Sequence, residues 1–112
     1  MKTRQIVTSL AALAQETRLA IFRLLVQAGP EGMPAMRIAA RLGIPPSSLS
    51  FHLKELTHAD MILQKKAGRS LIYSANFRAM NGLLEFLTEN CCGGNICTPV
   101  RKPKCSKEGA CS

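Results

Sequence analysis

The sequence lacks a long apolar segment. No stretch approaches the ~18 consecutive apolar residues that a membrane-spanning helix needs, so we expect no insertion into a membrane. The first ten residues, MKTRQIVTSL, carry positive charge but neither a long apolar run nor an obvious cleavage site, and they predict no secretion signal. These absences favour a cytoplasmic protein. In that compartment the five cysteines are expected to be reduced thiols rather than disulfides, which directs attention to metal or redox chemistry.

Acidic residues are also scarce. The 112-residue chain has 7 Asp and Glu against 15 Lys and Arg, which gives a net charge of +8. A small domain with this balance favours a polyanionic partner, nucleic acid or an anionic membrane surface. The length supports one domain with a modest core, comfortable for a subunit that dimerises.

Apolar spacing predicts three helices in the first part of the chain. Ile6, Leu10 and Leu13 give an amphipathic helix over residues 3–13. Residues 16–28 are apolar around so much of the circumference that we expect the central core helix there. A short helix follows from about Pro34 to Leu42, with Gly43 as C-cap. Its predicted buried face is Met36, Ala39, Ala40 and Leu42.

The segment from Pro46 to Leu56, PSSLSFHLKEL, predicts a DNA-reading helix. Leu49, Leu53 and Leu56 fall on one stripe that can bury against a core. The outward side chains carry hydroxyls, an imidazole and a cation, which suit the major groove. These outward residues are Ser47, Ser48, Ser50, Phe51, His52 and Lys54. Taken alone, the segment favours an ordinary amphipathic helix that touches only water. The short preceding helix and a tight glycine-containing turn reverse this preference and indicate a helix-turn-helix.

Alternating residues after this helix predict a β-hairpin. Ile62 to Lys66 and Ser70 to Ala75 are the two strands, and Lys65, Lys66 and Arg69 gather near the tip. A basic hairpin directly after a helix-turn-helix is typical of a wing that contacts the DNA backbone. The alternative is a hairpin whose charges only face solvent.

The last predicted helix, Phe77 to Asn90, is more apolar than a small core requires. Its stripe is Met80, Leu83, Leu84 and Leu87. We expect this helix, together with the first, to pack against a second copy of the chain. Such a two-fold dimer presents two reading helices ~34 Å apart to a palindromic site. The predicted fold is therefore mainly α with a small β-hairpin, a homodimeric winged helix-turn-helix over residues 1–90, followed by a flexible cysteine-rich tail over residues 91–112.

Several motifs resemble those of the ArsR/SmtB family of metal-responsive bacterial repressors, over roughly residues 10 to 92. They are Thr17-Arg18-Leu19-Ala20-Ile21 with Leu24-Leu25, then Ser47-x-x-Ser50-x-His52-Leu53-x-x-Leu56, and Gly68-Arg69 with Tyr73. The resemblance implies a homodimeric repressor of a metal or metalloid resistance operon that leaves its operator DNA when the inducer binds. Two positions depart from the pattern. Pro45 stands where the family often has a serine-like N-cap, and Phe51 stands where relatives often have a polar residue, so that it either touches a thymine methyl or simply packs.

This sequence has no metal-binding side chains at the positions where members of the family usually carry them. Several arsenic sensors of the family carry a cysteine pair in the first helix of the helix-turn-helix, and residues 34–42 contain no cysteine. Zinc sensors of the family carry Asp, His and Glu ligands along the last helix, whereas His52 and His58 both lie upstream of it. We expect His52 to contact DNA and His58 to be exposed.

A cluster of cysteines remains as the candidate inducer site. Cys91, Cys92 and Cys97 can bring three sulfurs together around a Gly-Gly turn. Three thiolates without nitrogen or oxygen donors favour a soft centre, and trivalent arsenic or antimony is pyramidal with three ligands. The cluster resembles arsenic sensors of the family with a cysteine pair at this helix end. Trivalent arsenic, or antimony, is thus the expected inducer, with no organic cofactor.

Other uses of the cysteines stay open. Cys105 and Cys111 are possible accessory ligands: they supply enough sulfur for a four-cysteine zinc site, and either could replace Cys97. A disulfide switch is a further alternative, although adjacent cysteines bridge only with strained geometry. A thiol-based metalloid carrier or reductase is the competing class of function. Because no histidine lies near the cysteines in sequence and nothing resembles a nucleotide site, we expect no enzyme and no small-molecule substrate.

Overall fold

The computed structural model describes residues 2–89, which fold into helices and one small sheet. In chain order the elements are α1 (Thr3–Leu13), α2 (Glu16–Ala28), β1 (Met33–Pro34), α3 (Ala35–Leu42), α4 (Pro46–His58), β2 (Ile62–Ala67), β3 (Ser70–Ala75) and α5 (Phe77–Thr88). The prediction of a mainly helical fold with a β-hairpin after the helix-turn-helix is confirmed. The predicted tail, residues 91–112, lies outside the described residues.

The sheet has three antiparallel strands in the order β1-β3-β2, one more than the sequence predicted. In β1, Met33 pairs with Tyr73 and Pro34 pairs with Ile72. Gly32 makes this pairing possible. It has φ +73, and a Cβ built there would stand 2.3 Å from the Tyr73 carbonyl oxygen. Only glycine fits that approach, so Gly32 fixes the base of the hairpin against the helical body.

The core lies between α2, α4 and the sheet. Ile21 and Leu25 of α2 and Leu56 of α4 are fully buried, together with Met61 and Ile62 at the start of the hairpin. Leu49 and Leu53 are buried beside Leu56, as their spacing predicted. The predicted apolar stripe of α4 therefore packs this helix against the body, and the opposite side of α4 is exposed.

The predicted buried face of α3 is correct for Ala39 and Leu42 and wrong for Met36 and Ala40. Ile38 and Ala39 are the buried residues of this helix, and Leu42 packs partly against the core. Met36 is 79% exposed and Ala40 is exposed as well. An eight-residue helix has only two turns, so apolar residues on both sides leave its orientation to be decided by packing against α2 and α4.

Helices α1 and α5 contact each other and retain an exposed apolar surface. In α1 the buried residues are Ile6, Ser9 and Ala12, so Leu10, expected beside Ile6 on the amphipathic stripe, turns outward. In α5, Ala79 and Leu83 are buried. The exposed large side chains of the pair are Val7, Leu10, Leu84 and Leu87. We call these four residues the apolar face. Helix α5 ends at Thr88, two residues before the predicted end.

Candidate nucleic-acid interface

A tight turn joins α3 to α4. Gly43 adopts a left-handed conformation at φ 65, and its N–H donates to the Ala39 carbonyl. The N–H of Ile44 donates to the same oxygen at 3.2 Å. Pro45 and Pro46 follow at once and start α4 in a new direction, because a proline fits the first helical position without losing a hydrogen bond. The predicted helix-turn-helix is confirmed in its geometry.

The first turn of α4 has no side-chain cap. Pro45 is the N-cap residue and offers no side-chain oxygen, as the sequence indicated. The intrahelical bonds begin with Leu49 N–H donating to the Pro45 carbonyl at 3.0 Å. The amides of Ser47 and Ser48 precede that bond and carry the positive end of the helix dipole. An anion such as a DNA phosphate satisfies amides of this kind.

The outward side of α4 carries the residues that the sequence placed there. Ser47, Ser48, Ser50 and Lys54 are exposed. Phe51 is 55% exposed, so it does not belong to the core. Their orientation matches the prediction, and their contact with DNA stays a prediction.

His52 differs from its neighbours because it is half-buried and already bound within the chain. The Nε–H of Arg18, from the start of α2, donates to His52 Nδ1 at 3.3 Å. The Arg18 Nη1 group donates to the Ala12 carbonyl, also at 3.3 Å. The Arg18 guanidinium carbon lies 6.0 Å from the centre of the Phe51 ring, within cation–π range. Arg18 thus connects α1, α2 and α4.

Sequence reasoning treated Arg18 only as part of a family-like motif. Its partner His52 lies 34 positions further along the chain, so no local pattern links the two residues. The start of α2 offers one local signal. Gln15 is the N-cap, and its Oε1 accepts from the Arg18 N–H at 2.9 Å. The backbone that bears the arginine is therefore fixed at the helix terminus.

The hairpin that follows α4 carries its cations on two faces. β2 and β3 pair from Ile62 opposite Ala75 to Ala67 opposite Ser70, and Gly68 and Arg69 form the turn. Gln64 Nε2 donates to the Tyr73 hydroxyl at 3.3 Å, on the face that looks toward α4. Since side chains alternate along a strand, Lys66 shares that face with Gln64 while Lys65 lies on the other. Lys65, Lys66 and Arg69 are all exposed.

An open cleft of about 470 Å³ separates α4 from the hairpin. Its walls mix polar and apolar surface and come from both elements: Ser50, Leu53, Lys54, Thr57 and His58 on one side, Gln64 and Tyr73 on the other, with Asp60 between them in sequence. The exposed side of α4 and the inner face of the hairpin therefore border one groove. We call the outward residues of α4 and the three hairpin cations together the polar face.

The described residues do not include a candidate inducer site. Within residues 2–89 no group of three His, Cys, Asp or Glu side chains is placed to hold a metal ion. The cysteines at positions 91, 92, 97, 105 and 111 all lie outside those residues. None of the described helices is both long and apolar enough to cross a membrane.

Comparison with known proteins agrees with this geometry. A family model described as a helix-turn-helix domain matches residues 13–64. The HTH-type transcriptional regulator NmtR of Mycobacterium tuberculosis is 34% identical over 70 residues, which are 62% of this chain and 56% of NmtR. The chain thus matches little more than half the length of that relative.

Solved structures extend the likeness to the whole fold. An ArsR-like transcriptional regulator from Rhodococcus sp. RHA1 superposes with a TM-score of 0.67 at 27% identity, covering 75% of this chain and 76% of that one. A protein described as a possible transcriptional regulator for arsenical resistance gives a TM-score of 0.62 at 25% identity, covering 70% and 79%. A homodimeric winged helix-turn-helix domain from Mycobacterium bovis gives 0.62 at 20% identity, covering 82% and 85%, and supports the fold alone.

Helix-turn-helix, hairpin and superpositions together define a winged helix-turn-helix protein. The chain is similar in sequence to NmtR and in structure to ArsR-like transcriptional regulators. These relatives are named as transcriptional regulators and not as enzymes, in agreement with the non-enzymatic reading of the sequence.

Proposed function

We propose that this chain is a homodimeric repressor that binds operator DNA through the polar face and releases it when trivalent arsenic or antimony binds the tail cysteines. The observation that carries the DNA-binding part is the groove between α4 and the hairpin, which the exposed Ser50 and Lys54 border. Helix α4 then reads base edges with its serines while Lys65, Lys66 and Arg69 neutralise phosphates. The net charge of +8 supports the same partner.

The apolar face supports the proposed homodimer. Leu84 and Leu87 are 52% and 56% exposed on a helix whose other side is already buried. Val7 and Leu10 are exposed on α1, a helix that contacts α5. A second copy would cover both helices in an isologous interface and set two copies of α4 side by side. Two reading heads on one rigid dimer suit a palindromic operator.

The metalloid part of the proposal is based on the cysteines. Cys91 and Cys92 follow α5 within a few residues, so a ligand bound there acts next to the proposed dimer helix. Three thiolates match the three-coordinate chemistry of trivalent arsenic and antimony. One structural neighbour is described as a possible transcriptional regulator for arsenical resistance, which favours the same inducer.

Release follows from linkage between the two sites. A metalloid that pulls the cysteines together at the end of α5 shifts the apolar face and thereby the spacing of the two α4 helices. A coupling free energy of ~1 to 3 kcal/mol weakens DNA binding several-fold to about a hundred-fold. DNA must weaken metalloid binding by the same factor.

Thiol counting tests the inducer site separately from DNA. The reduced chain has five cysteines, and we expect one bound arsenite to protect three of them from a thiol reagent. Cys91→Ser and Cys92→Ser should abolish this protection, while Cys111→Ser, the matched control, should retain it. Protection of four thiols by zinc, with none by arsenite, would replace the proposal by the four-cysteine zinc site.

A further inference from the structure

Arg18 ties His52, a residue of the polar face, to the helical body. Its guanidinium donates through Nε to His52 Nδ1 and through Nη1 to the Ala12 carbonyl. Both distances are 3.3 Å, and the backbone of Arg18 is itself fixed by the Gln15 side chain. The arginine fork is therefore oriented from α1 and α2, and it sets the orientation of the imidazole on α4.

The chemistry of this contact determines which ring nitrogen of His52 carries the proton. An arginine guanidinium is always protonated and has no acceptor, so its Nε can only donate. His52 Nδ1 must then be the acceptor and carries no hydrogen. The neutral ring consequently holds its hydrogen on Nε2, which makes Nε2 a donor.

We infer that Arg18 is a positioning residue that fixes His52 as the Nε2–H tautomer, so that His52 recognises a purine N7 in the operator by donating to it. The second half of this inference rests on the proposed DNA-binding function; the first half does not. His52 lies four residues after the exposed Ser48, on the same side of α4. It therefore shares the side of α4 on which Ser48 is expected to read DNA.

The tautomer restricts which base edges His52 can recognise. In the major groove both purines present N7 as an acceptor, guanine also presents O6 and thymine presents O4, whereas cytosine and adenine present amino donors. An Nε2–H group can donate to any of these acceptors, but it cannot pair with an amino donor. A histidine free to exchange tautomers could pair with either kind of group. Arg18 thus converts an ambiguous side chain into one that pairs only with acceptors, of which N7 is common to both purines.

NMR spectroscopy of the free protein tests the tautomer without DNA. The chain has two histidines, so long-range proton–nitrogen spectra distinguish His52 from the exposed His58. We expect the hydrogen of His52 on Nε2 in the native chain and a mixture of tautomers in Arg18→Met. Arg23→Met, which removes the same charge from an exposed site on α2, should leave His52 unchanged. A hydrogen on Nδ1, or identical His52 spectra in native protein and Arg18→Met, would overturn the inference.

Operator fragments with single 7-deazapurine substitutions test the base contact. His52→Ala should weaken binding about threefold to tenfold, the usual effect of one lost hydrogen bond. At one purine of each half-site the deaza substitution should weaken native binding by a similar factor and have no further effect on His52→Ala. Arg18→Met should reduce the same coupling, and Arg23→Met should preserve it.

Additive effects at every purine would overturn the N7 contact even if the tautomer is correct. Failure of the native chain to bind any promoter fragment would instead contradict the proposed function, and the NMR result on His52 would be unaffected. Thermal unfolding of Arg18→Met and Arg23→Met shows whether both variants remain folded at the temperature of the measurements, and His52→Ala provides the base-contact readout with Arg18 intact.

Discussion

The polar face and the apolar face differ in what their exposed residues can bind, although amphipathic helices build both. The polar face exposes hydroxyls and cations, and its leucines are buried. The apolar face exposes Val7, Leu10, Leu84 and Leu87. A polyanion suits the first surface and a second copy of the same apolar surface suits the other. Core packing leaves one side of each helix exposed. The residues on that exposed side, and not helix formation itself, determine which partner the helix can bind.

Both faces depend on the core between them, and Gly32 gives the largest expected effect. In Gly32→Ala a residue with a side chain must adopt φ +73, and its Cβ would stand 2.3 Å from the Tyr73 carbonyl oxygen. This variant should therefore lower the free energy of unfolding by about 4 kcal/mol or more. Both faces should then lose their function together. Gly43→Ala is the control because its φ of +65 lies in the left-handed αL region but nothing lies within 4 Å of the added Cβ. That control should lose only about 1 kcal/mol. Urea denaturation measures both, and equal losses would show that the β1 contact does not hold the hairpin.

Leu84→Glu should separate the two faces. The exposed half of Leu84 contributes about 1.5 kcal/mol when a partner covers it, and the two-fold axis counts it twice, so dimerisation should weaken about a hundredfold. Met36→Glu changes a residue that is 79% exposed on α3 and should leave dimerisation intact. Sedimentation equilibrium measures the association. If the native chain stays monomeric at high concentration, the apolar face does not bind a second copy of the chain.

The cations of the hairpin should affect DNA binding without sequence preference. Lys65→Ala with Lys66→Ala should weaken binding to operator and unrelated DNA alike and lower the salt dependence of log K by about one unit for each lost phosphate contact. Glu is not used as the replacement, because added repulsion would exaggerate the change. Anisotropy titrations at several salt concentrations provide the slopes. An unchanged slope would show that Lys65 and Lys66 contact solvent and not DNA, so that α4 alone would remain as the DNA-binding element.

Ser48→Ala should give the smallest effect and the most selective one. Loss of one hydroxyl contact to a base edge or phosphate should weaken operator binding by about 1 kcal/mol and leave the salt slope unchanged. Stability should hardly change, since Ser48 is exposed and makes no capping bond. Competition between operator and unrelated DNA measures the loss of specificity. Equal weakening of binding to both DNAs would show that Ser48 contacts the DNA backbone and not a base.

Leucine spacing was sufficient to predict which side of α4 is buried. Over three helical turns the leucines recur often enough to define one side of the helix. Leu49, Leu53 and Leu56 are buried as predicted, and the serines and Lys54 face outward. The hairpin could also be predicted, because apolar and polar residues alternate on both sides of Gly68-Arg69. In these segments local pattern and tertiary packing agree.

Other features depended on contacts distant in sequence. The two-residue β1 strand is too short to show alternation, and it forms because Gly32 lets the backbone approach Tyr73. The orientation of α3 was decided by Ile38 packing against its neighbours and not by Met36. The bond from Arg18 to His52 joins α2 to α4, so no window of sequence contains both partners.

The measurement that tests the proposed repressor most directly is fluorescence anisotropy of the reduced chain bound to a labelled fragment of its own promoter. Arsenite or antimonite should release the DNA, with a coupling of ~1 to 3 kcal/mol. Cys91→Ser should bind the fragment as tightly as the native chain and stay bound when either metalloid is added. Release by zinc alone, or a complex that no ion disturbs, would contradict the account.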